Sequence, residues 1–417
     1  MQQVLIEKPY RFVPAFHSKW PARWFARLGL FQRTLRKTHG VVDHECRNLD
    51  RLRASINAGN GVMLCANHSR MADAIVMGHL ARETPCEFFI MASWHLFNQG
   101  WLNYYKLRML GAFSVNREGL DRQAIDEAIR ILQAAERPLL IFPEGTTSRT
   151  NDQLMALMEG PAFIARTAAK RRAKQDGGDV VVHPVGIKYV YYGDIDRAAD
   201  AVLSDIEKRL SWRPSPELPL IDRLVKVGDG LLSLKELEHH VKVIPGATLR
   251  ERQTKMVNHL LEPLEREWLG HSRNEGIAVR IKNLRMKIFP ELSRNELPVE
   301  ERQRRWRQLE HTYLAQQIDC YPDQYVTRFP SVDRILETIE KFEEDMTDTC
   351  RVHGNLKVII DIGEPIPVDG QRDRTASEGD PLMNKIRSQL ESMLDNLKNE
   401  SKMYDGQFKG KPSRAKT

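Results

Sequence analysis

The sequence predicts an α/β fold: a mixed, partly parallel sheet covered by helices, with a large helical insertion and a basic amphipathic N-terminal helix. Three observations lead there. Between residues 48 and 191, short apolar runs alternate with helix-length segments, as strands joined by helical crossovers do. From 195 to 352 strand signals almost vanish. At 356–362 the run Leu-Lys-Val-Ile-Ile-Asp-Ile restores one.

The elements follow in order. No acidic residue lies between Glu7 and Asp43, whereas Lys8, Arg11, Lys19, Arg23, Arg27, Arg33, Arg36 and Lys37 are basic. Trp20, Trp24, Leu28, Phe31 and Leu35 recur at helical spacing, which predicts one amphipathic helix over 17–37. Its apolar stripe suits a membrane headgroup region or the surface of a domain equally well. A helix is expected at 48–58, a buried strand at 61–66 and a helix at 71–82. Then come a strand at 86–92, an aromatic-rich helix at 94–110 and a short strand at 113–115. A helix at 122–135, a strand at 138–142, a helix at 160–174 and a strand at 180–191 complete the alternation. Helices are expected at 198–210, 219–239, 249–269, 276–292, 299–320 and 332–348. After the strand at 356–362 comes a last amphipathic helix at 381–400. The polar, basic tail 401–417 is expected to lack structure.

Bulk properties narrow the function. A chain of 417 residues has a net charge of +7 and a pI near 9.1, which favours an anionic partner surface. The charge-dense stretch 300–307 carries no aromatic ladder and reads as solvated helix faces, so nucleic acid is not an expected partner. The longest uncharged window, 88–105, is broken by His95, Asn98, Gln99 and Asn103 and does not qualify as a membrane span. Five cysteines without a CxxC pair fit a reducing compartment and provide no zinc or disulfide framework. The N-terminus shows no signal-peptide pattern. No G-x-S-x-G elbow, phosphate-binding P-loop, G-x-G-x-x-G or H-E-x-x-H occurs.

Four blocks carry the chemistry. Asn67-His68-Ser69-Arg70-Met71-Ala72-Asp73 is the first, followed by Gly111-Ala112-Phe113-Ser114-Val115-Asn116-Arg117. Phe142-Pro143-Glu144-Gly145-Thr146 and Val182-His183-Pro184-Val185 come next. A His/Asp pair five apart means little alone, since 13 histidines and 56 acidic residues produce one or two by chance. Five residues of helix rotate two side chains apart by about 140°. The histidine is therefore expected in the turn before a helix, with Asp73 reaching back to its ring and Ser69 as a helix cap. Histidine suits general-base work near neutral pH, and a carboxylate holds the required tautomer.

In this order the blocks resemble the glycerolipid acyltransferase family. The resemblance covers 45–193 and 354–370, where Gly363-Glu364-Pro365-Ile366 resembles the family's closing strand end. It implies transfer of a fatty acyl group from acyl-CoA or acyl carrier protein to the free hydroxyl of 1-acylglycerol-3-phosphate. His68 would be the base and Asp73 its orienter, with no cofactor beyond the donor substrate. Arg117 would contact the acceptor's phosphate, and Glu144, Gly145 and Thr146 would help bind the acceptor. The family's common Phe-Pro-Glu-Gly-Thr-Arg-Ser departs here to Thr147, and Arg149 is the candidate replacement for that arginine. His95 stands near where many members carry a lysine; it and His183 read as packing residues. Glycerol-3-phosphate or another lysolipid as acceptor stays open, as do a thioester hydrolase and a non-enzymatic lipid or membrane binding protein. The expected partners are a membrane surface with anionic lipid, and an acyl carrier protein. The expected place is cytoplasmic, peripheral on the inner face of the membrane. The segments are expected to be 1–44 (basic helix), 45–194 with 354–370 (α/β domain), 195–353 (helical insertion) and 371–417 (last helix and tail).

Overall fold

A computed structural model describes residues 8–84, 86–175, 177–272, 275–292, 297–371 and 379–406. The basic segment forms two helices, α1 (Trp20–Arg27) and α2 (Leu30–His39), not one. Gly29 between them has φ 62°, a left-handed conformation that glycine adopts at no steric cost and that ends a helix. The break splits the predicted stripe. Trp20, Trp24 and Leu28 stay exposed, whereas Leu35 is buried and Phe31 packs on Gly78 and His79.

The chain continues through β1 (Val41–Arg47), α3 (Leu49–Asn57), β2 (Gly61–Ala66), α4 (Asp73–Glu83) and β3 (Phe89–Ser93). The predicted 94–110 helix divides into a 3-10 turn, Trp94–Asn98, and α5 (Trp101–Met109), parted at Gly100 with φ 102°. Next are β4 (Ala112–Val115), α6 (Arg122–Ala134), β5 (Leu139–Ile141), α7 (Gly160–Ala173) and β6 (Val180–Tyr191). Then α8 (Ile195–Arg209), α9 (Leu220–Glu238), α10 (Leu249–Leu269), α11 (Ile277–Leu292), α12 (Val299–Asp319), α13 (Tyr325–Arg328) and α14 (Val332–Thr347) follow without a strand. β7 (Leu356–Ile362), β8 (Ile366–Pro367) and α15 (Pro381–Leu397) end the fold.

The strands make one sheet in the order β1-β7-β6-β2-β5-β3-β4, with β8 beside β6. All pairs are parallel except those of β6 with β7 and β8. The fold is thus α/β with a mixed, mostly parallel sheet. β1 was absent from the sequence reading and crosses the expected 44/45 boundary. It is an edge strand with only Val41 buried, so Asp43, His44, Glu45 and Arg47 hide the apolar pattern.

Both faces of the sheet are covered, and β2 shows it by alternation. Val62, Leu64 and Ala66 join the core that includes α4, α8 and α14, while Met63 and Cys65 join the one under α6, α7 and α15. Segment 195–353 is therefore not uniform: α8 and α14 are part of the sheet's own core, whereas α10, α11 and α12 enclose a separate one. The start of the expected unstructured tail is ordered. Ser401 donates to Asp333, Met403 bridges to Ser331 and Tyr404 donates to Asp196; 407–417 lie outside the described residues.

Candidate active site

β2, β5, β3 and β4 run parallel, so the loops after them leave from one edge, the carboxyl end where open α/β sheets hold their ligands. That places the His68, Glu144 and Arg117 loops together. β6 runs beyond the end of β2: Ala66 pairs with Val185, and β6 continues to Tyr191. Asn67 spans the step, its side-chain amide bonded to both the N–H and the C=O of Ile187.

His68 sits in the turn before α4, and Asp73 is the helix's first residue. His68 Nδ1 lies 2.8 Å from Asp73 Oδ2. Asp73 is fully buried and receives two further bonds, from the Arg70 N–H at 2.9 Å and the Tyr189 hydroxyl at 2.6 Å. Burial and the neighbouring carboxylate push the Tyr189 pKa well above its ordinary value, so the phenol stays a donor. The carboxylate is thus saturated and oriented on three sides. Ser69 is not the helix cap: its buried hydroxyl has no partner among the described residues, and Asp73 itself takes the Arg70 N–H.

The histidine ring stacks on Phe142, with centroids 4.3 Å apart. Nε2, the nitrogen not held by Asp73, lies 3.3 Å from the Thr147 hydroxyl. Ser148 and Arg149 N–H groups donate to the carbonyls of His68 and Ser69, which ties the two loops together. Glu144 adds a third tie. One of its oxygens accepts from the His68 N–H at 2.6 Å and the other from the Met155 N–H at 3.0 Å. Burial pushes the Glu144 pKa up to about 8. Its geometry is that of a brace for the His68 turn.

Gly145 has φ 69°, and a Cβ there would stand 2.7 Å from Met158 Sδ. Its carbonyl accepts from Arg117 Nη1 at 3.0 Å, and Arg117 Nε is buried without a partner among the described residues. Thr146 is half-buried between these positions. His95 bonds Ser93 Oγ at 2.8 Å; burial and the nearby Arg117 charge depress its pKa to about 3, keeping it neutral. His183 is wholly buried, bonded to Ser55 and the Gly363 carbonyl, as a packing histidine would be.

Arg149 departs from expectation. Its φ is 57°, and its guanidinium turns to α14, where Glu344 holds it at 2.7 Å. The guanidinium is thus paired with a carboxylate of α14, away from the position expected for the arginine missing at Thr147. The sequence reading also missed Thr147 as a neighbour of His68 and Tyr189 as the second partner of Asp73. A tyrosine at a core-facing position of an apolar strand was the available signal for the latter. Among the described residues, no three His, Cys, Asp or Glu side chains gather as a metal site, and no helix is long and apolar enough to cross a membrane.

Residues 43–188, which include His68, Asp73, Arg117, Glu144 and Thr147 but not Tyr189 or α14, match the family model described as Acyltransferase. This segment is similar to acyltransferase domains. Within the acyltransferase domain's relatives, a 1-acyl-sn-glycerol-3-phosphate acyltransferase of Streptococcus pneumoniae (strain ATCC BAA-255 / R6) is 31% identical over 115 residues. The match covers 28% of this chain and 40% of that curated relative. The whole helical segment after β6 lies outside the acyltransferase match.

Proposed function

We propose that the chain moves a fatty acyl group from acyl-CoA or acyl carrier protein to the free hydroxyl of 1-acylglycerol-3-phosphate. The observation that supports this most is the His68–Asp73–Tyr189 hydrogen-bond chain, with Arg117 bonded to the Gly145 carbonyl of the loop that carries Thr147 to His68. Asp73 holds Nδ1–H, so Nε2 is the lone-pair nitrogen. The acceptor hydroxyl replaces the Thr147 hydroxyl there and gives its proton to Nε2. Its oxygen attacks the thioester carbonyl, forming a tetrahedral oxyanion. Collapse breaks the carbon–sulfur bond, and the leaving thiolate takes the proton back from His68. Arg117, with planar donors suited to a phosphate dianion, positions the acceptor. Glu144, Gly145 and Thr146 shape the loop that carries it.

Access to a lipid acceptor rests on the N-terminal segment. Trp20 and Trp24 are 69% and 50% exposed, a costly display unless a bilayer surface covers them. Lys19, Arg23 and Arg27 accompany them and favour anionic headgroups, in keeping with a peripheral place on the inner leaflet.

Labelled acyl-CoA and 1-acylglycerol-3-phosphate with wild type and His68→Ala test the reading. Diacyl product from wild type, and at least a hundredfold less from the variant, is the expected result for a lost general base (~10²–10⁴). Free fatty acid in place of diacyl product points to hydrolysis instead, and product from a folded His68→Ala at the wild-type rate overturns the mechanism.

A further inference from the structure

Between α9, α12, α13 and α14 lies a cavity of about 640 Å³, within the usual range for small-molecule pockets of roughly 300–1,000 Å³. Leu224, Leu231, Leu314, Ile318, Phe342 and Met346 supply much of its wall. Arg149 and Thr150 close one side of it, on the loop that brings Thr147 to His68.

Lys341 also lines this cavity and is only 8% exposed. Its ammonium donates to the Cys320 carbonyl and lies 3.6 Å from the centre of the Tyr321 ring. The carboxylates that act on it are engaged otherwise: Asp345 accepts from the Tyr321 hydroxyl and Glu344 is held by Arg149. An ammonium has three donors, and a carbonyl with an aromatic face leaves most of its charge unanswered. Burial lowers the Lys341 pKa from its ordinary value, a cost that a bound anion offsets.

We propose that this cavity binds one single-chain anionic lipid, with its acyl chain along the leucine-rich wall and its head group opposite Lys341. The aliphatic wall excludes a polar metabolite, and the buried cation excludes a purely apolar guest. The choice of an acyl chain rests in part on the acyl-transfer reading, because such a chain is what that chemistry handles. Two sources share this chemistry, a free fatty carboxylate and a lysolipid with a phosphate head. Its apolar wall comes from the helical segment outside the acyltransferase match.

The full chain, titrated with the fluorescent fatty acid cis-parinaric acid, should show saturable binding at one site. Displacement by palmitate alone identifies the fatty carboxylate as ligand, and displacement by 1-palmitoyl lysophosphatidic acid alone identifies the lysolipid. Lys341→Met should weaken displacement by the anionic competitor about tenfold or more, the loss of one charge-assisted contact. It should leave displacement by hexadecanol unchanged. Leu231→Trp, which fills the cavity, should abolish probe binding at an unchanged Tm; if that variant unfolds, Lys341→Met decides. No saturable binding by wild type, or wild-type behaviour of both folded variants, overturns the site. Equal weakening of hexadecanol overturns the head-group assignment. His68→Ala should bind the probe normally. Transfer without probe binding therefore sinks this inference alone, and probe binding without transfer sinks the acyl-transfer reading alone.

Discussion

Arg70, two residues after His68, is held by Glu340 of α14 at 2.7 Å, with both side chains buried. The contact joins the loop bearing the candidate base to a helix 270 residues later. It is one of a series: Asp333 meets Lys188, Arg334 meets Asp152 and Glu344 meets Arg149. Asp333, Glu337, Glu340 and Glu344 recur at helical spacing, so a single face of α14 braces β6 and both loops around His68. Breaking one partner of a buried pair strands the other charge. Glu340→Gln should therefore lower stability by about 3 kcal/mol, read by denaturant titration, whereas replacing Arg70 and Glu340 together with apolar residues should cost less. Equal losses in the two cases would show that the pair is not what holds this helix.

Tyr189→Phe removes a donor to Asp73 Oδ1 but no contact with His68. Acyl transfer should fall severalfold in kcat at constant acceptor KM, while Asp73→Asn should lose about a hundredfold or more because the tautomer is no longer held. A Tyr189→Phe enzyme with wild-type kcat would show that Arg70 N–H alone orients the carboxylate.

Arg117→Ala and Arg149→Ala should separate cleanly in steady-state kinetics. Loss of the phosphate-facing arginine should raise the acceptor KM, by about tenfold or more for a charge-assisted contact, and leave the donor KM alone. Arg149, tied to Glu344, should act on stability instead, with Tm falling and the acceptor KM unchanged. The reverse pattern would place Arg149 at the phosphate.

Glu144 carries a pH signature. Its carboxyl pKa is raised from 4.5 to about 8 in the folded protein. A raised folded pKa means that its stabilisation is complete below the unfolded value and fades as pH rises through the folded one. The stability of wild type relative to Glu144→Gln should accordingly decline between pH 4.5 and 8, followed by thermal melts across that range. A difference that stays flat across the window would mean that Glu144 is ionised in the fold.

The two halves of the N-terminal stripe should respond in opposite ways. Serine at Trp20 and Trp24 should release the protein from anionic liposomes without changing Tm, and added salt should do the same for wild type. Phe31→Ser should lower Tm, since its ring packs on Gly78 and His79. Unaltered liposome binding by the tryptophan variants would move the docking surface elsewhere.

Local pattern determined a great deal of this molecule on its own. Apolar runs located β2, β6 and β7, and period-3.6 hydrophobicity nearly all the helices, because burial writes itself into the chain wherever an element has an apolar face. The turn-then-helix spacing of His68 and Asp73 also predicted their contact, since five residues are near enough for local geometry to decide it. Tertiary structure decided what spacing cannot carry. The polar edge strand β1 buries too little to show a pattern, and the break at Gly29 divides a stripe that looks continuous on paper. The overshoot of β6 that brings Tyr189 to Asp73, the turn of Arg149 towards Glu344 and the α14 brace join residues more than a hundred positions apart. Such contacts follow from which strands pair and how far one extends past its neighbour, quantities that no local run of residues encodes.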